Sequence, residues 1–452
     1  MGEMTVPDDA LWGASTQRAV LNFPISGRPL PPAFIRGLGL VKAVAAQVNA
    51  DLGRLPEEKS RFIQQAAREI AHGQHPEHFP VDVFQTGSGT STNMNANEVI
   101  ARRAAQLAGR SGAVHPNDDV NLGQSSNDII PTVLHVSVAL ALRDELKPAL
   151  VRLREALMEK SAAFDRIVKI GRTHLMDATP LTLGQEFSGY AAQARKAAER
   201  VDRAVAALTE LAIGGTAVGT GINGHPEFAP RVCAALAQET GIPFREAANH
   251  FEAQAARDDA VEVAGLLTAV AAGLTKIAND IRLLGSGPRA GLAELKLPAT
   301  QPGSSIMPGK VNPVMSEMLV QVGLYVQGLA QTVAACGRDG HFELNVTMPL
   351  MAHCLHESVH CLANGTRVFT EKCVAGLEAD EARCHELMER SLMLVTALNP
   401  HIGYDAAAAV AKEALATGKS LREVVLAKKL MDAATLDRAL DPLAMTRPGE
   451  SG

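Results

Sequence analysis

The segment LGQEFSGYAAQARKAAERVDRAVAAL, residues 183–208, decides the architecture. Leu183, Phe187, Tyr190, Ala194, Ala197, Val201, Ala204 and Leu208 recur at steps of three and four, which places them on one face of an α-helix. Alanines in that seam let a neighbouring helix approach closely. A second stripe, Leu142, Leu146, Leu150, Leu153 and Leu157, has the same period, and Pro148 is expected to kink it. Further long helices are predicted for Asp258 to Leu284, Pro313 to Ala335 and Leu350 to Val374. Long helices with apolar stripes bury them against one another as a bundle.

Composition agrees. Hydrophobic residues make up 46% of the 452, yet aromatics only 4%, with one Trp and three Tyr. A core of Ala, Leu and Val suits helices, whereas a β-rich chain would use more aromatics. The fold class is therefore all-α, with length for three domains. Residues 1–124 read as a mixed N-terminal module. There, helices at Arg36 to Asp51 and Glu57 to Gly73 alternate with connections such as His72-Gly73-Gln74-His75-Pro76. Residues 125–384 carry the long helices. Residues 385–452 break into short helices, one of them opened by a Ser420/Glu423 capping box after Gly418 closes its predecessor.

The 43 basic and 49 acidic residues leave a net charge of −6, which offers no field for a nucleic acid backbone. Cys233, Cys336, Cys354, Cys361, Cys373 and Cys384 lack C-x-x-C spacing and read as thiols in a reducing, cytoplasmic setting. Met1 to Trp12 has no apolar signal region, and Val6 stands where N-myristoylation of Gly2 needs Ser or Thr. Met318 to Gly337 is free of charge, but Gln321, Gln327 and Gln331 argue against a lipid-facing span. The buried centre of a helical assembly fits that run better.

Four polar islands interrupt this apolar pattern. The first, Thr86 to Asn95, concentrates glycines, hydroxyls and amides that suit a small anion, although a capped helix start would also explain it. The second, Asn121 to Thr132, places Gln124-Ser125-Ser126-Asn127-Asp128 at a helix N-terminus, where anions are favoured. The third, Gly171 to Pro180, holds His174. The fourth, Gly303 to Pro313, gathers Ser304, Ser305, Lys310 and Asn312 between Gly303 and Pro313, with Glu317 on the first turn of the next helix. Asn312 is expected to cap that helix and Pro313 to occupy its first position.

These residues resemble the class II fumarases of the fumarase/aspartase superfamily, from Leu11-Trp12-Gly13-Ala14 through the four islands to Ala397-Leu398-Asn399 and His401-Ile402-Gly403-Tyr404. The fourth island is similar to the superfamily signature loop. The resemblance implies a homotetramer whose active sites each draw on three subunits. It also implies reversible hydration of fumarate to L-malate, a step of the tricarboxylic acid cycle, without metal or organic cofactor.

By that pattern Lys310 and Asn312 stabilise the aci-carboxylate, Ser304 is the base, and His174 paired across subunits with Glu317 handles water. Ser88, Gly89, Thr90, Ser125, Ser126, Asn127, Thr173, Ser305, Lys310, Val311 and Asn312 match the substrate-binding positions. His115-Pro116-Asn117-Asp118 resembles an outer carboxylate site, with Gly112 where many relatives carry Arg. Leu122-Gly123 and Met176 also replace more polar residues of the family.

Competing motifs are weaker. His356-Glu357-Ser358-Val359-His360 satisfies the zinc motif H-E-x-x-H, but the surrounding segment resembles fumarase and aspartase, which implies no metal. Gly219 to Gly224 matches a dinucleotide fingerprint without its strand and helix. Gly303 to Lys310 lacks the residues a phosphate loop needs, since Pro308 and Val311 stand where Gly and Ser or Thr belong. Within the superfamily, aspartase is the nearest rival. His174, Gly309 and Ala178-Thr179-Pro180 favour fumarase, whereas Val314 is aspartase-like. A silent structural relative, such as a lens protein, need not retain Ser304, Lys310, Asn312, His174 and Glu317 together.

Overall fold

The computed structural model describes residues 3–448, so Met1 and Gly2, on which the acylation reading rests, lie outside it. The order is α1 (Ala14–Asn22), α2 (Pro32–Asp51), α3 (Glu57–Ala71), α4 (Thr90–Leu107), α5 (Ser126–Ala141), α6 (Lys147–Ala163), the hairpin β1 (Val168–Thr173) and β2 (Met176–Thr182), then α7 (Leu183–Ala207). Next come α8 (Phe228–Thr240), α9 (His250–Ala255), α10 (Asp258–Leu284), α11 (Val314–Arg338) and α12 (Met348–Lys372). Shorter helices follow, among them α13 (Glu381–Glu389), α14 (Asn399–Ile402), α15 (Tyr404–Thr417), α16 (Leu421–Ala427) and α17 (Ala433–Ala439). The remaining strands among the described residues are two residues long.

All eight residues of the α7 stripe are buried, as are all five leucines of the second. That second stripe runs through a π-helical turn, Leu142–Leu146, directly ahead of Pro148. Proline lacks an N–H and its ring crowds the carbonyl four residues back, and the wider turn gives it room. Helix α10 has the predicted bounds. Helix α11 starts one residue after Pro313, and α12 ends before Val374, which belongs to a short 3₁₀ turn. Ser420 and Glu423 form the predicted capping box, and Gly418 closes α15 in the left-handed region at φ 69°.

Contacts divide the chain into two compact units, each built from three non-consecutive pieces. Unit 1 comprises Met1–Ala149, Ala197–Ala272 and Gln321–Asn364. Unit 2 comprises Leu150–Lys196, Gly273–Val320 and Gly365–Gly452. In unit 1, α2 packs on α3, α5 and α8. Glycine makes this close: a Cβ on Gly37 would lie 2.7 Å from the Ser137 Cβ of α5, and one on Gly39 2.6 Å from the Ala71 nitrogen. In unit 2, Leu398, Val410, Val424, Val425 and Leu436 join a C-terminal apolar cluster, and α13 packs on β1.

Candidate active site

The first two islands come together in unit 1. Gly87 lies against the chain ahead of α12: a Cβ there would fall 1.7 Å from the Val346 carbonyl oxygen, and the Met348 N–H donates to Gly87 O at 3.1 Å. Gly89 opens α4 at φ 73°, and its Cβ position is 2.9 Å from the Ile130 side chain on the first two turns of α5. The N-cap residue Gly89 has no side chain with which to cap α4. The Ser88 and Thr90 hydroxyls instead pair with each other at 2.8 Å, and Gln85 Oε1 accepts from Thr92 N–H at 3.0 Å. Asn93 Nδ2 bridges Asn121 Oδ1 and Ser126 Oγ, both at 3.1 Å.

Helix α5 begins with a capping box. Ser125 Oγ accepts from Asn127 N–H at 3.3 Å, and Asp128 Oδ1 accepts from Ser125 N–H at 2.9 Å. The other Asp128 oxygen takes the N–H groups of Gly214 and Thr216 at 3.1 and 2.9 Å. Asn127 Nδ2 donates to Ala217 O at 2.8 Å. The glycine-rich stretch that mimics a dinucleotide fingerprint thus continues a segment seated on the α5 N-terminus. It carries no nucleotide geometry, since the nearest strand ends at Leu211 and the next helix starts at Phe228.

Beneath these groups lies Lys42, fully buried, its Nζ donating to Asn121 Oδ1 and Gln124 Oε1, each at 2.9 Å. Burial pulls its ammonium down to about 7, with attraction to Asp128 opposing. Burial likewise raises Asp128 to about 6 against its backbone hydrogen bonds. The sequence reading missed Lys42, although a single charge in the apolar run Leu38 to Ala46 was a usable signal.

The other two islands belong to unit 2. Thr173 pairs with Met176 across the β1–β2 hairpin, so His174 and Leu175 form a two-residue turn. Both have positive φ, 57° and 63°. Asn-Gly is the preferred filling of such a turn, and each non-glycine residue there costs on the order of 1–3 kcal/mol. The strand register shifts at Gly171, where a Cβ would lie 2.5 Å from Thr179 O.

A buried charge network holds β1. Both Arg172 terminal nitrogens donate to Glu294 at 2.9 Å, and Lys169 Nζ reaches Glu186 at 2.9 Å and Glu294 at 3.3 Å. Glu294 is fully buried. Burial disfavours the Arg172 charge, and the Glu294 hydrogen bonds together with the negative charges of Glu294, Asp177 and Glu186 more than offset that, leaving its pKa raised. His174 is therefore displayed on an exposed turn whose strand is pinned from below.

The signature-like loop closes on itself. Gly303 N–H donates to Lys310 O at 2.8 Å, and Asn312 Nδ2 donates to Gly303 O at 2.7 Å. Asn312 thus ties the loop neck instead of capping α11, a correction to the sequence reading, and Pro313 precedes the helix. Gly303 is required here, since a Cβ would lie 2.4 Å from Lys310 O. Ser304 Oγ accepts from Ile306 N–H at 3.2 Å. Ser305, Lys310 and Val311 are exposed, and Glu317 sits on the first turn of α11 with its N–H on Pro313 O at 3.1 Å.

His115 to Asp118 lies in unit 1. His115 Nδ1 accepts from Asp118 N–H at 3.0 Å, and Lys59 anchors the adjacent Asp119 at 2.8 Å. Gly112 has φ 71° and open space around its Cβ position. The zinc motif dissolves: His356 is buried, its Nε2 bonded to Ser137 Oγ at 2.8 Å and its pKa pushed down to about 3 by burial. His360 is exposed and meets Asn364 at 2.9 Å. All six cysteines are free, five of them buried.

Residues 2–328 match the lyase family model, and residues 394–447 match the model for the fumarase C C-terminus. Fumarate hydratase class II from Mycobacterium tuberculosis strain H37Rv is 54% identical, over 99% of this chain and 95% of that protein. The chain belongs to the class II fumarase family. Fumarate hydratase class II 1 from Pseudomonas aeruginosa is 52% identical over 100% of this chain and 98% of its own length. The crystal structure of class II fumarase from Schistosoma mansoni superposes with a TM-score of 0.96 at 40% identity, covering 99% of this chain and 98% of that one. A class II fumarase is a lyase, and its all-α fold is the one read from the helical stripes.

Proposed function

We propose that this chain catalyses the reversible hydration of fumarate to L-malate. The observation that carries the proposal is His174, a titratable ring held at the tip of a pinned, strained turn in a class II fumarase chain that also keeps Ser304, Lys310, Asn312 and Glu317. Removing the proton beside a malate carboxylate concentrates a second negative charge on that group, so donors must already be in place. Lys310 and Asn312 supply them, and Ser304, ionised beforehand to its oxyanion by strong local activation, takes the proton. Asn312 Nδ2 carries two hydrogens, so one can meet the carboxylate while the other stays on Gly303 O and holds the donor in place.

His174, partnered by Glu317, protonates the departing hydroxyl, and in the opposite direction it activates water. Ser88, Gly89, Thr90, Ser125, Ser126, Asn127 and Thr173 hold the dicarboxylate with neutral donors, with Ser305 and Val311 lining the loop side. His115, Pro116, Asn117 and Asp118 provide an outer carboxylate site lacking the Arg replaced by Gly112. The working form is a cytoplasmic homotetramer of three-domain subunits acting in the tricarboxylic acid cycle. Supporting the tetramer, Leu324 and Tyr325 on α11 are 61% and 45% exposed, and only 33% of that helix's most apolar window is buried. Such a face calls for cover by other copies of the chain.

The test follows the loss of alkene absorbance when purified, metal-stripped protein meets fumarate, with malate identified as product. Val314 at the start of α11 is the one aspartase-like residue, so the assay is repeated with ammonium. Turnover without ammonium is expected, and strict dependence on it would overturn the reading in favour of aspartase.

A further inference from the structure

Outside the hydratase residues, one group of three metal-ligating side chains comes together among the described residues: His75, Glu77 and His78. One donor atom of each lies within 4.8 Å of the other two. We propose that these three side chains bind a divalent transition-metal ion such as Zn²⁺ or Ni²⁺ as a structural clamp. Two imidazoles and a carboxylate are the donor set such ions favour.

The distances support it. Donors around a tetrahedral ion bound at ~2.1 Å sit about 3.4 Å apart. His78 Nε2 and Glu77 Oε1 are already 3.3 Å apart. Glu77, whose side chain is 64% exposed, can change rotamer to close its own distances, and the pair His75 and His78, whose donor atoms lie within 4.8 Å, closes by ring movement. The His75 and His78 rings are stacked with centroids 6.1 Å apart, which sets the two imidazoles side by side, and a swing of each ring in its own plane brings their nitrogens to one ion.

An outer layer completes the arrangement. His75 Nε2 bonds Glu69 Oε2 at 3.0 Å, which leaves Nδ1 as its ligand atom. Glu69 is in turn gripped by Arg103 at 2.6 and 3.0 Å. A carboxylate behind a ligating histidine fixes the ring's tautomer and raises its basicity.

His78 must change one bond. Its Nδ1 accepts a long contact from Leu11 N–H at 3.4 Å, and its Nε2 faces Glu77. When the ion takes Nε2, the ring proton moves through solvent to Nδ1, and the Leu11 contact breaks. Trp12, the only tryptophan in the chain, follows Leu11 and meets the His78 ring edge-on at 5.8 Å. The ion would thus link the 72–79 connection to α3 through Glu69 and report its arrival at Trp12.

The experiment uses untagged, metal-stripped, full-length protein and follows Trp12 emission during titration with Ni²⁺, then competition by Zn²⁺. Saturable quenching at one ion per chain, reversed in part by Zn²⁺, is expected. Glu77→Gln and His75→Ala should weaken Ni²⁺ binding at least ~10-fold, and Glu69→Gln by ~10-fold or more through the outer layer. Fumarate hydration should be unchanged in Glu77→Gln. Should His78→Asn fail to fold, the exposed Glu77 still carries the test. Quenching of equal affinity in wild type, Glu77→Gln and His75→Ala would overturn the site, as would absence of saturable quenching. Neither result bears on the hydratase reading, which rests on different residues.

Discussion

Replacing Lys42 with Met tests the electrostatics beneath the second island. Lys42 is buried without exposure and titrates at about 7 against an ordinary 10.5, because burial penalises its charge more than Asp128 compensates. Between those two values the unfolded chain binds a proton that the folded chain has released, so stability rises with pH across that window. From pH 7 to pH 9 the linkage amounts to about 2 kcal/mol. Asp128 acts with opposite sign in a different window. Its folded pKa of about 6 exceeds 3.8, so its contribution falls as pH rises between those values and is largely spent by pH 7. Met keeps the aliphatic stem and removes the titration. Urea unfolding midpoints at pH 7 and 9, at matched protein concentration, measure the difference, and thiol ionisation in the unfolded chain cancels between the two proteins. The variant should lose the 2 kcal/mol rise, and its KM for fumarate should increase, because Asn121 and Gln124 lose the donor that positions the chain before Ser125. An identical pH 7 to 9 change in both proteins would refute the reasoning.

Other substitutions probe the remaining parts. His174→Asn should leave the assembly folded by circular dichroism and lower turnover by ~10² or more, the usual scale for a general acid–base group; near-normal turnover removes His174 from the mechanism. Glu294→Gln strips the counter-charge from Arg172 and Lys169 and should cost about 3 kcal/mol in urea titration, with a fall in kcat as the His174 turn loosens. Gly87→Ala drives a methyl into the Val346 carbonyl and should lower stability by at least ~2 kcal/mol, visible as a reduced thermal midpoint; unchanged melting would show that the backbone yields there.

The helical stripes were legible because burial of one face imposes a period that needs no partner to be recognised, and α7 and α10 followed it closely. The islands were legible for the opposite reason: Ser, Thr, Asn and Gly clustered where an apolar bundle has no use for them. Their support was not. Gly87 meets Val346 and Arg172 meets Glu294, pairings separated by long stretches of sequence that no local pattern connects. Asn312 shows a second limit. Its Nδ2 donates to Gly303 O at the loop neck, and α11 starts at Val314, one residue later than an Asn312 cap requires, which only the closed loop reveals. The π turn at Leu142 to Leu146 is similar, since Pro148 announced a disturbance without saying that the helix would absorb it by widening.

The division of each compact unit into three separated pieces bears on how the chain is made. Unit 1 needs Gln321–Asn364 and unit 2 needs Gly365–Gly452, so synthesis from the N-terminus finishes neither until most or all of the chain has emerged. A ribosome-bound fragment ending near residue 124 has its local helices without the partners that complete its unit. Folding to the final contacts is therefore late, with long-range closure in both units and with unit 2 the last to finish, and such topologies fold slowly. During that interval the apolar faces of α10 and α11 are the stretches most in need of chaperone cover.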